Sequence, residues 1–403
     1  MRILYVCHRF PFPPARGGKI RPFNMIRHLS QQHEVVVASL ARSPEEAEAG
    51  RGIAPYCDDF MMGQVSEPAA WARMIAYLPT PTPSSMAYFY DKPLERMIQE
   101  RLRRDSFDLI FVHCSSVAPY VSQVKGIPKI LDFGDMDSQK WLLYRHFKPF
   151  PLSLGYWLEG SKMAAAEKAL AREFDLCTCI TKAEVETLRG FGVDTPSDWF
   201  PNGVDLDYFS PGAEPYDPDA ISFVGRMDYF PNQHAMEFFC DEVFPLIRRH
   251  RPTATLAIIG ADPPAEVTRL AERDGISVTG TVPDVRDHVR RSAVNVAPLS
   301  IARGTQNKIL EAMAMGVPVV TSPEAVAGVD AVAGEHLLVA EAPQDYADKI
   351  LGLMEDAGAR QRLGAAGRAR VESHHSWSSS MNRMDGLIAD CLARYEARKK
   401  QTA

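Results

Sequence analysis

The stretch RGTQNKILEAMAMGVPVVTS, residues 303–322, decides the fold of this chain, because it combines a loop, a helix, a tight turn and a strand. Its apolar residues from Ile309 to Ala314 recur at helical spacing. Gly316 follows as a residue that can end a helix with a positive φ. The apolar run at 317–320 then suits a strand that is buried on both faces. We therefore expect an α/β fold with a parallel sheet.

The start of this predicted helix is a candidate anion site. The first N–H groups of a helix have no partner within it, so a helix behind a glycine turn can receive a phosphate. Lys308 lies in the first turn, and Glu311 lies three residues later on roughly the same face. A lysine for phosphate and a carboxylate for a ribose diol would form a nucleotide site. The alternative is an ordinary αβ unit with charged surface residues.

Size and composition exclude several classes of protein. A chain of 403 residues is longer than one core usually serves, so we expect two domains. A net charge of −6 argues against nucleic-acid binding. The seven cysteines are irregularly spaced without a Cys-x-x-Cys pair, which indicates a reducing cytoplasm and no zinc site. No apolar run approaches the length of a membrane-spanning helix, and residues 3–7 read as a first strand.

The first half of the chain opens as a β-α-β unit with a glycine pair. A strand at 3–7 leads into a Pro- and Gly-rich loop that ends at Gly17 and Gly18, and a helix is expected at 20–31. The spacing is not that of a dinucleotide fingerprint. The pair would still let a ligand approach the backbone closely, although an ordinary loop is the alternative.

Polar residues follow two further predicted strands. His113 follows the strand at 109–112, and Asp135 and Asp137 follow the strand at 129–133. The carboxyl ends of parallel strands meet at the edge where α/β folds bind ligands, so these residues are candidates. A packed histidine with satisfied hydrogen bonds is the alternative for His113. The Asp-x-Asp pattern recurs at 205–207 and 217–219, so it carries little information and does not favour a metal site.

Two other segments bear on organisation. Residues 139–163 interleave basic and aromatic side chains, which suits either a membrane interface or a helix–helix contact within the domain. Residues 207–219 are rich in Pro, Asp and Gly and read as a linker, after which the β-α-β rhythm restarts. Gly225 and Arg226 follow the first strand of this second half. We expect domains at 1–206 and 207–377, with a terminal helix at 378–403.

Taken together, these motifs resemble a known family. The chain resembles the family 4 retaining glycosyltransferases of GT-B fold, and within them the sugar-transferase subgroup associated with exopolysaccharide and exosortase (PEP-CTERM) loci. The resemblance covers nearly the whole chain. It rests on the glycine pair, on His113, on PNGVDLDYF at 201–209, on FVGR at 223–226 and on KILEAMAMGVPVV at 308–320.

The resemblance implies a fold and an activity. The fold would have two doubly wound Rossmann-like domains that face a cleft, with the C-terminal helix packing back on the N-terminal domain. The activity would be transfer of a hexosyl-type sugar from a nucleotide-diphosphate sugar to a glycan or lipid-linked acceptor, with retention at the anomeric carbon and without a metal or other cofactor. The setting would be exopolysaccharide or cell-surface polysaccharide synthesis in the cytoplasm. The basic and aromatic stretch at 139–163 would add peripheral contact with the inner membrane.

The resemblance also assigns roles to individual residues. His113, Arg226 and Lys308 would be the catalytic residues. The donor-binding residues would be Gly17, Gly18, Gly225, Arg303, Gly304, Thr305, Gln306, Asn307 and Glu311. The acceptor-side residues would be Lys19, Arg21, Asp135 and Asp137.

Two departures from the family pattern limit what carries over. The family usually has a glutamate eight residues before Glu311, where this chain has Arg303, so the identity of the donor sugar does not carry over. Pro231-Asn232 stand where a Lys-Gly pair is usual, and we infer that Lys308 replaces that lysine. A GT-B-fold sugar-nucleotide epimerase and a nucleotide-sugar-binding regulatory protein are the alternatives.

Overall fold

A computed structural model describes residues 1–14 and 17–402. All strand pairings in both of its sheets are parallel. The first sheet contains β1 (Arg2–Cys7), β2 (Glu34–Ala41), β3 (Asp59–Gln64), β4 (Leu109–His113), β5 (Lys129–Gly134), β6 (Leu176–Cys179) and β7 (Ser197–Trp199). The second contains β8 (Asp217–Val224), β9 (Thr255–Ile259), β10 (Ile276–Gly280), β11 (Ser292–Ala297), β12 (Val319–Thr321) and β13 (Leu338–Val339).

Helices alternate with these strands throughout. The N-terminal half contains α1 (Gly17–Leu29), α2 (Pro44–Gly50), α3 (Glu67–Tyr77), α4 (Ser84–Tyr88), α5 (Lys92–Arg104), α6 (Asp137–Tyr144), α7 (Leu152–Ala171) and α8 (Lys182–Gly190). The remainder contains α9 (Phe230–Phe238), α10 (Phe244–His250), α11 (Ala265–Thr268), α12 (Arg286–Val289), α13 (Asn307–Ala314), α14 (Pro323–Val326), α15 (Pro343–Glu355), α16 (Ala357–His374) and α17 (Trp377–Thr402).

The order of the strands gives each sheet a topological switch point. The first sheet runs β3-β2-β1-β4-β5-β6-β7 and the second β10-β9-β8-β11-β12-β13. Both are doubly wound Rossmann-like orders, in which ligands bind outside the carboxyl ends of the strands where the order reverses. The predicted pair of doubly wound domains is therefore confirmed. The switch points lie between β1 and β4 and between β8 and β11.

The chain divides into two compact units, each with its own core. Unit 1 consists of Met1–Phe200 and Met381–Ala403, and unit 2 consists of Pro201–Ser380. The boundaries differ from the predicted 206/207 and 377/378. Val204 belongs to the core of unit 2, and its N–H donates to the His375 carbonyl at 2.7 Å. In unit 1, Asp385 of α17 lies 2.7 Å from His28 Nε2.

Local differences from the predicted elements have simple causes. Gly316 adopts a φ of +73° just after α13, as expected for a residue that ends a helix. Strand β12 begins at Val319 rather than 317, directly after Pro318, which has no N–H to donate. The predicted linker at 207–219 is shorter than expected, because Asp217 already pairs with the second sheet by donating to the Arg291 carbonyl at 2.7 Å.

Candidate functional site

A cavity opens at the switch point of unit 2. Its volume is about 240 Å³. The residues that line it come from the end of β8, the loop after β11 and the first turns of α13, which is where this topology places a ligand. They are Val224, Gly225, Arg226, Tyr229, Pro231, Asn232, Leu299, Ile301, Ala302, Arg303, Gln306, Lys308 and Glu311.

Lys308 is the central cation of this cavity. It lies in the first turn of α13, which begins at Asn307. Its Nζ donates to Asn232 Oδ1 at 2.5 Å and stands 4.6 Å from the centroid of the Phe223 ring. The ammonium therefore lies beside the N-terminus of a helix, so two sources of positive potential meet at one place.

Lys308 and Glu311 have strongly shifted pKa values. Burial lowers the pKa of Lys308 to about 7, against the opposing effect of Glu311. Burial raises the pKa of Glu311 to about 7, against the opposing effect of Lys308. Both charges are thus disfavoured in the free protein. An incoming diphosphate would favour the charged ammonium and restore its positive charge.

Gly225 is required by the close packing around Lys308. A Cβ at this position would lie 2.6 Å from Asn232 Nδ2 and 3.1 Å from Lys308 Nζ, so any other residue would displace one of them. Asn232 Nδ2 also donates to the Arg226 carbonyl at 2.7 Å. Asn232, one of the two residues that depart from the family pattern, therefore joins Lys308 to the loop after β8. Asn232 was not among the predicted site residues.

The loop before α13 contains a left-handed glycine turn and an unsatisfied hydroxyl. Gly304 has a φ of +64°, and its carbonyl oxygen would lie 1.8 Å from a Cβ added at Gly328, so the two backbones touch. Thr305 Oγ1 is buried and has no hydrogen-bond partner in the described part of the chain. An orphaned hydroxyl next to a helix N-terminus is suited to hydrogen bond with a bound ligand.

The other predicted donor residues of this loop have partners within unit 2. Gln306 Nε2 donates to the Arg303 carbonyl at 2.9 Å. Asn307 Oδ1 accepts from Asn202 Nδ2 at 3.3 Å. Asn202 belongs to the PNGVDLDYF motif, so the two motifs separated by about a hundred residues in sequence meet at the start of α13.

Arg226 lines the cavity but is held by two carboxylates. Its guanidinium donates to Asp228 Oδ1 and Oδ2 at 3.0 and 2.7 Å, and to Asp262 Oδ2 at 2.5 Å. Asp262 follows β9 and has a φ of +56°, which is uncommon for a residue other than glycine. Neither carboxylate was among the predicted site residues. Contact between Arg226 and a diphosphate would require that these ion pairs open or are shared.

At the switch point of unit 1, His113 lies in a buried charge network. Its Nδ1 stands 2.8 Å from Asp132 Oδ2. Arg21 donates to the same carboxylate through Nε at 2.9 Å and Nη2 at 3.0 Å, and Thr178 Oγ1 donates at 2.9 Å. Burial would raise the pKa of Asp132, but the charge of Arg21 and the hydrogen bonds from Arg21 and His113 hold it well below its usual range. Asp132 thus orients the His113 ring.

Two of the predicted acceptor-side residues, Arg21 and Lys19, form ion pairs inside unit 1. The guanidinium of Arg21 is buried, and besides Asp132 it bonds the Phe200 carbonyl at 3.1 Å. Lys19 is also buried and forms an ion pair with Glu46. Both cations thus have carboxylate partners inside unit 1, and their assignment to the acceptor side stays a prediction. The short spacing of these basic residues after the glycine pair gave no sign of their partners.

The glycine pair itself lies exposed at the start of α1. A Cβ at Gly17 would meet nothing within 4 Å among the described residues, and one at Gly18 would lie 3.6 Å from Arg9 Cδ. Packing within unit 1 therefore does not explain the two glycines. An open backbone at a helix start leaves room for a ligand to approach closely.

The loop that carries Asp135 and Asp137 is held by two buried glutamates. Glu184 Oε2 accepts from the Met136 N–H at 2.9 Å, and Glu167 Oε1 accepts from the Ser138 N–H at 3.1 Å. Burial, followed by repulsion from Glu184 and Asp137, raises the pKa of Asp135 to about 7. Burial likewise raises the pKa of Asp137, against the opposing charges of Lys140 and Arg9. The Sγ of Cys114, the residue after His113, lies 4.0 Å from Asp137 Oδ2.

Among the described residues, no group of three or more His, Cys, Asp or Glu side chains is arranged to hold a metal ion. In the same residues, no helix combines the length and the apolar character that crossing a membrane needs.

Comparison with known families gives two matches along the chain. Residues 16–208 match the family described as "Glycosyltransferase Family 4". Residues 218–356 match the family described as "Glycosyl transferases group 1". The first match covers most of unit 1 and the second contains the cavity with Lys308 and Glu311.

Individual relatives agree with these families. A GDP-mannose-dependent monoacylated alpha-(1-6)-phosphatidylinositol monomannoside mannosyltransferase of Corynebacterium glutamicum is 24% identical over 94% of this chain and 95% of that protein. Sucrose-phosphate synthase from Thermosynechococcus elongatus superposes with a TM-score of 0.73 at 16% identity over 98% of this chain and 100% of that chain. HepE of Anabaena in complex with UDP-glucose superposes with a TM-score of 0.68 at 12% identity over 97% of this chain and 100% of that chain.

Proposed function

We propose that the chain is a family 4 glycosyltransferase of GT-B fold, which its matches to two glycosyltransferase families and its fold support. It would transfer a hexosyl group from a nucleotide-diphosphate sugar to a glycan or lipid-linked acceptor, with retention at the anomeric carbon. One observation carries the proposal: Lys308 and Arg226 line one cavity at the start of α13, with Glu311 beside them. This arrangement suits a diphosphate and a ribose. The setting that we propose is exopolysaccharide or cell-surface polysaccharide synthesis.

The chemistry of the leaving group explains why this cavity needs positive potential. When the bond between sugar and nucleoside diphosphate breaks, negative charge develops on the diphosphate. Fixed cations and a helix N-terminus stabilise that charge as it forms, which is the role that a metal ion plays elsewhere. Lys308 and the N–H groups at the start of α13 lie where they can do this, so the proposed reaction needs no metal.

On the other substrate, we propose a contact between His113 and the reacting sugar, with Asp132 as the residue that fixes the ring. Because Nδ1 of His113 is engaged by Asp132, Nε2 is the nitrogen that remains for a substrate. The loop of Asp135 and Asp137 would shape the acceptor side. Lys19 and Arg21 support this edge of the sheet from within.

A binding screen tests the donor. Relatives suggest the first ligands to try, since one depends on GDP-mannose and another was solved with UDP-glucose. We expect a matching nucleoside diphosphate or its sugar at about 100 times its Kd to stabilise the folded chain by about 2.7 kcal/mol in a thermal-shift assay. The variant Glu311→Gln should weaken binding of a nucleotide with an intact ribose more than binding of pyrophosphate.

Turnover assays then separate the proposal from its alternatives. The protein is incubated with the best-binding nucleotide sugar, labelled in the sugar, and a bacterial membrane extract. Release of nucleotide with label in lipid or glycan supports a transferase, and NMR of the product shows whether the anomeric configuration is retained. An isomerised donor would instead indicate an epimerase. Binding without turnover in every acceptor preparation would indicate a sensor and contradict the proposed activity.

A further inference from the structure

Unit 1 exposes large apolar side chains on two segments. On and after α3, Trp71, Ile75 and Leu78 are exposed by 58%, 65% and 51%. The second segment leads into α7. There the exposed fractions are 79% for Phe150, 57% for Leu152, 52% for Leu154, 44% for Trp157 and 38% for Leu158. We call these eight residues the apolar face. A soluble surface rarely presents so many adjacent apolar side chains without a use for them.

The two segments are neighbours in unit 1. Lys162 Nζ of α7 donates to the Tyr77 and Leu78 carbonyls at 3.2 and 2.7 Å. The Glu159 carboxylate accepts from the Ser85 N–H at 2.8 Å. The middle of α7 therefore contacts the chain at the end of α3 and after it. Leu78, one member of the apolar face, is bonded through its carbonyl to the helix that carries four others.

Helical spacing arranges the apolar side chains in stripes. Trp71 and Ile75 are four residues apart on α3, and so are Leu154 and Leu158 on α7. Side chains at this spacing lie one turn apart on the same face of a helix. The stripe of α7 runs toward Lys162, which is four residues after Leu158, and so toward the contact with α3. The two stripes therefore lie on segments that contact each other through Lys162.

The structure separates two expectations for the aromatic and basic stretch at 139–163. Trp141 packs inside unit 1, against Tyr156 at 5.6 Å between ring centroids, and Tyr144 lies 6.1 Å from Tyr156. These rings form the helix–helix contact between α6 and α7. Phe150 and Trp157 do not share this burial and point to solvent. Only part of the stretch is therefore explained by packing within the domain.

Basic side chains outnumber acidic ones in the segments that carry the apolar face. Residues 68–90 and 138–163 contain a single acidic residue, Glu159, and its carboxylate is occupied by the N–H groups of residues 84 and 85. Glu67, one turn before Trp71 on α3, adds a second carboxylate, which forms an ion pair with Arg42 at 3.8 Å. The same two ranges contain five basic side chains in a chain whose net charge is −6. They are Arg73, Lys140, Arg145, Lys148 and Lys162. The local field therefore favours an anionic partner over a second copy of this acidic protein.

From this combination we propose that the apolar face docks unit 1 onto a bilayer surface rich in anionic phospholipids. Exposed tryptophan, phenylalanine and leucine side chains suit the boundary between headgroups and acyl chains, and the surrounding lysines and arginines suit lipid phosphates. The helices would lie in the plane of the surface with their apolar stripes inserted. The docking does not depend on the proposed sugar transfer, although it would bring the enzyme to a lipid-linked acceptor.

Vesicle flotation tests the proposal. We expect the full-length protein to float with vesicles of equal parts phosphatidylcholine and phosphatidylglycerol, and much less with vesicles of phosphatidylcholine alone. The double variant Ile75→Ser, Trp157→Ser should lower the vesicle affinity on the order of 100-fold. Reversal of Arg145 and Lys148 to Glu should lower it about fivefold or more for each residue.

Matched controls come from unit 2. Val332, which is 49% exposed, is changed to Ser, and the exposed Arg249 is changed to Glu. Neither control should change flotation. Thermal unfolding of every variant checks that a loss of binding is not a loss of folding. The conservative variants Trp71→Phe and Trp157→Phe give a second measurement, because each should reduce the blue shift of tryptophan emission on addition of anionic vesicles.

Three results would overturn the proposal. The protein could fail to float with either kind of vesicle. It could float equally whether or not the apolar face is changed. Finally, size-exclusion chromatography could show a dimer that Ile75→Ser, Trp157→Ser dissociates while the wild type ignores vesicles, in which case a second copy covers this surface.

Discussion

The two sheets of this chain share one strand order and yet use charge at their carboxyl edges in opposite ways. At the switch point of unit 1, Arg21, Asp132 and His113 bond to one another in a buried network. At that of unit 2, Lys308 and Glu311 line an open cavity, and burial disfavours both of their charges. At the edge of unit 1, the charges are paired with one another within the protein. At the edge of unit 2, a bound ligand would provide a partner for the charge of Lys308.

This difference shows what topology determines and what it leaves open. A parallel sheet gathers polar residues at the ends of its strands in both units. Whether such a residue meets a substrate depends on whether a partner of opposite charge is within reach. Asp132 supplies that partner in unit 1. In unit 2, Lys308 contacts the neutral Asn232, and the opposing effect of Glu311 does not offset the cost of burying its charge. The variants below test this contrast between closed and open charge.

The largest effect is expected from Asp132→Ala, measured by urea unfolding. The substitution leaves the buried guanidinium of Arg21 without its carboxylate, and removal of one member of a buried ion pair typically costs about 3–5 kcal/mol in the free energy of unfolding. Replacement of both partners by leucine, as Arg21→Leu with Asp132→Leu, should recover much of that loss. If the free energy of unfolding of Asp132→Ala lies within about 1 kcal/mol of the wild-type value, Arg21 does not depend on Asp132 as its charge partner.

Turnover provides the second readout of the same residue. Asp132→Asn keeps the shape of the side chain and should preserve folding better than Asp132→Ala. It changes the acceptor that holds His113 Nδ1, so we expect kcat to fall more than the affinity for the nucleotide. A purely structural role would leave kcat unchanged in the folded fraction.

The sequence predicted the residues at the carboxyl edge of the sheet in unit 2 better than those at the same edge in unit 1. Lys308 and Glu311 are three residues apart on one helix, so local periodicity was enough to place both at one cavity. Arg21 and Asp132 are 111 positions apart, and no local pattern joins them. The only available signal was an aspartate within the apolar strand KILDFG, which a buried strand accepts only if the charge is paired. The sequence therefore showed no sign that Lys19 and Arg21 are buried in ion pairs.

The next effect in size concerns Lys308→Ala. Loss of a group that stabilises charge on a leaving group typically raises the barrier by about 2.7–4 kcal/mol, or roughly 100- to 1000-fold in kcat. Folding should change little, because burial already disfavours the charge of Lys308 in the free protein. Nucleotide release from the donor and thermal unfolding are measured on the same preparation. Turnover near the wild-type rate would contradict the assignment of this cavity.

The pH dependence of nucleotide binding is a smaller effect with a defined sign. The pKa of Lys308 is lowered to about 7, so above that pH the lysine must take up a proton to meet a diphosphate. Affinity should be highest below pH 7 and fall by up to about tenfold for each unit above it. Across the same range the free protein should become more stable, because the unfolded chain keeps the proton to a higher pH than the folded one.

Lys308→Arg is the matched control for this titration, which calorimetry can follow between pH 6 and pH 9, roughly the span on either side of the lysine's transition. Arginine stays protonated throughout the range. The nucleotide affinity of Lys308→Arg should therefore not fall steeply as the pH rises, even if the longer side chain fits less well. A wild-type affinity that is flat across the range would show that Lys308 is charged before the nucleotide binds.

The smallest effect is expected from Thr305→Val, which replaces the orphaned hydroxyl with a methyl group of similar shape. Thr305 Oγ1 has no hydrogen-bond partner among the described residues, so folding should lose nothing and gain slightly as a buried polar atom is removed. If the hydroxyl bonds a phosphate, nucleotide affinity should fall by about 1 kcal/mol, or roughly fivefold. Thr321→Val is the control, because its Oγ1 already donates to the Ala297 carbonyl at 2.9 Å. That variant should lose stability and leave affinity unchanged. The opposite pattern would mean that the Thr305 hydroxyl faces a protein group rather than a ligand.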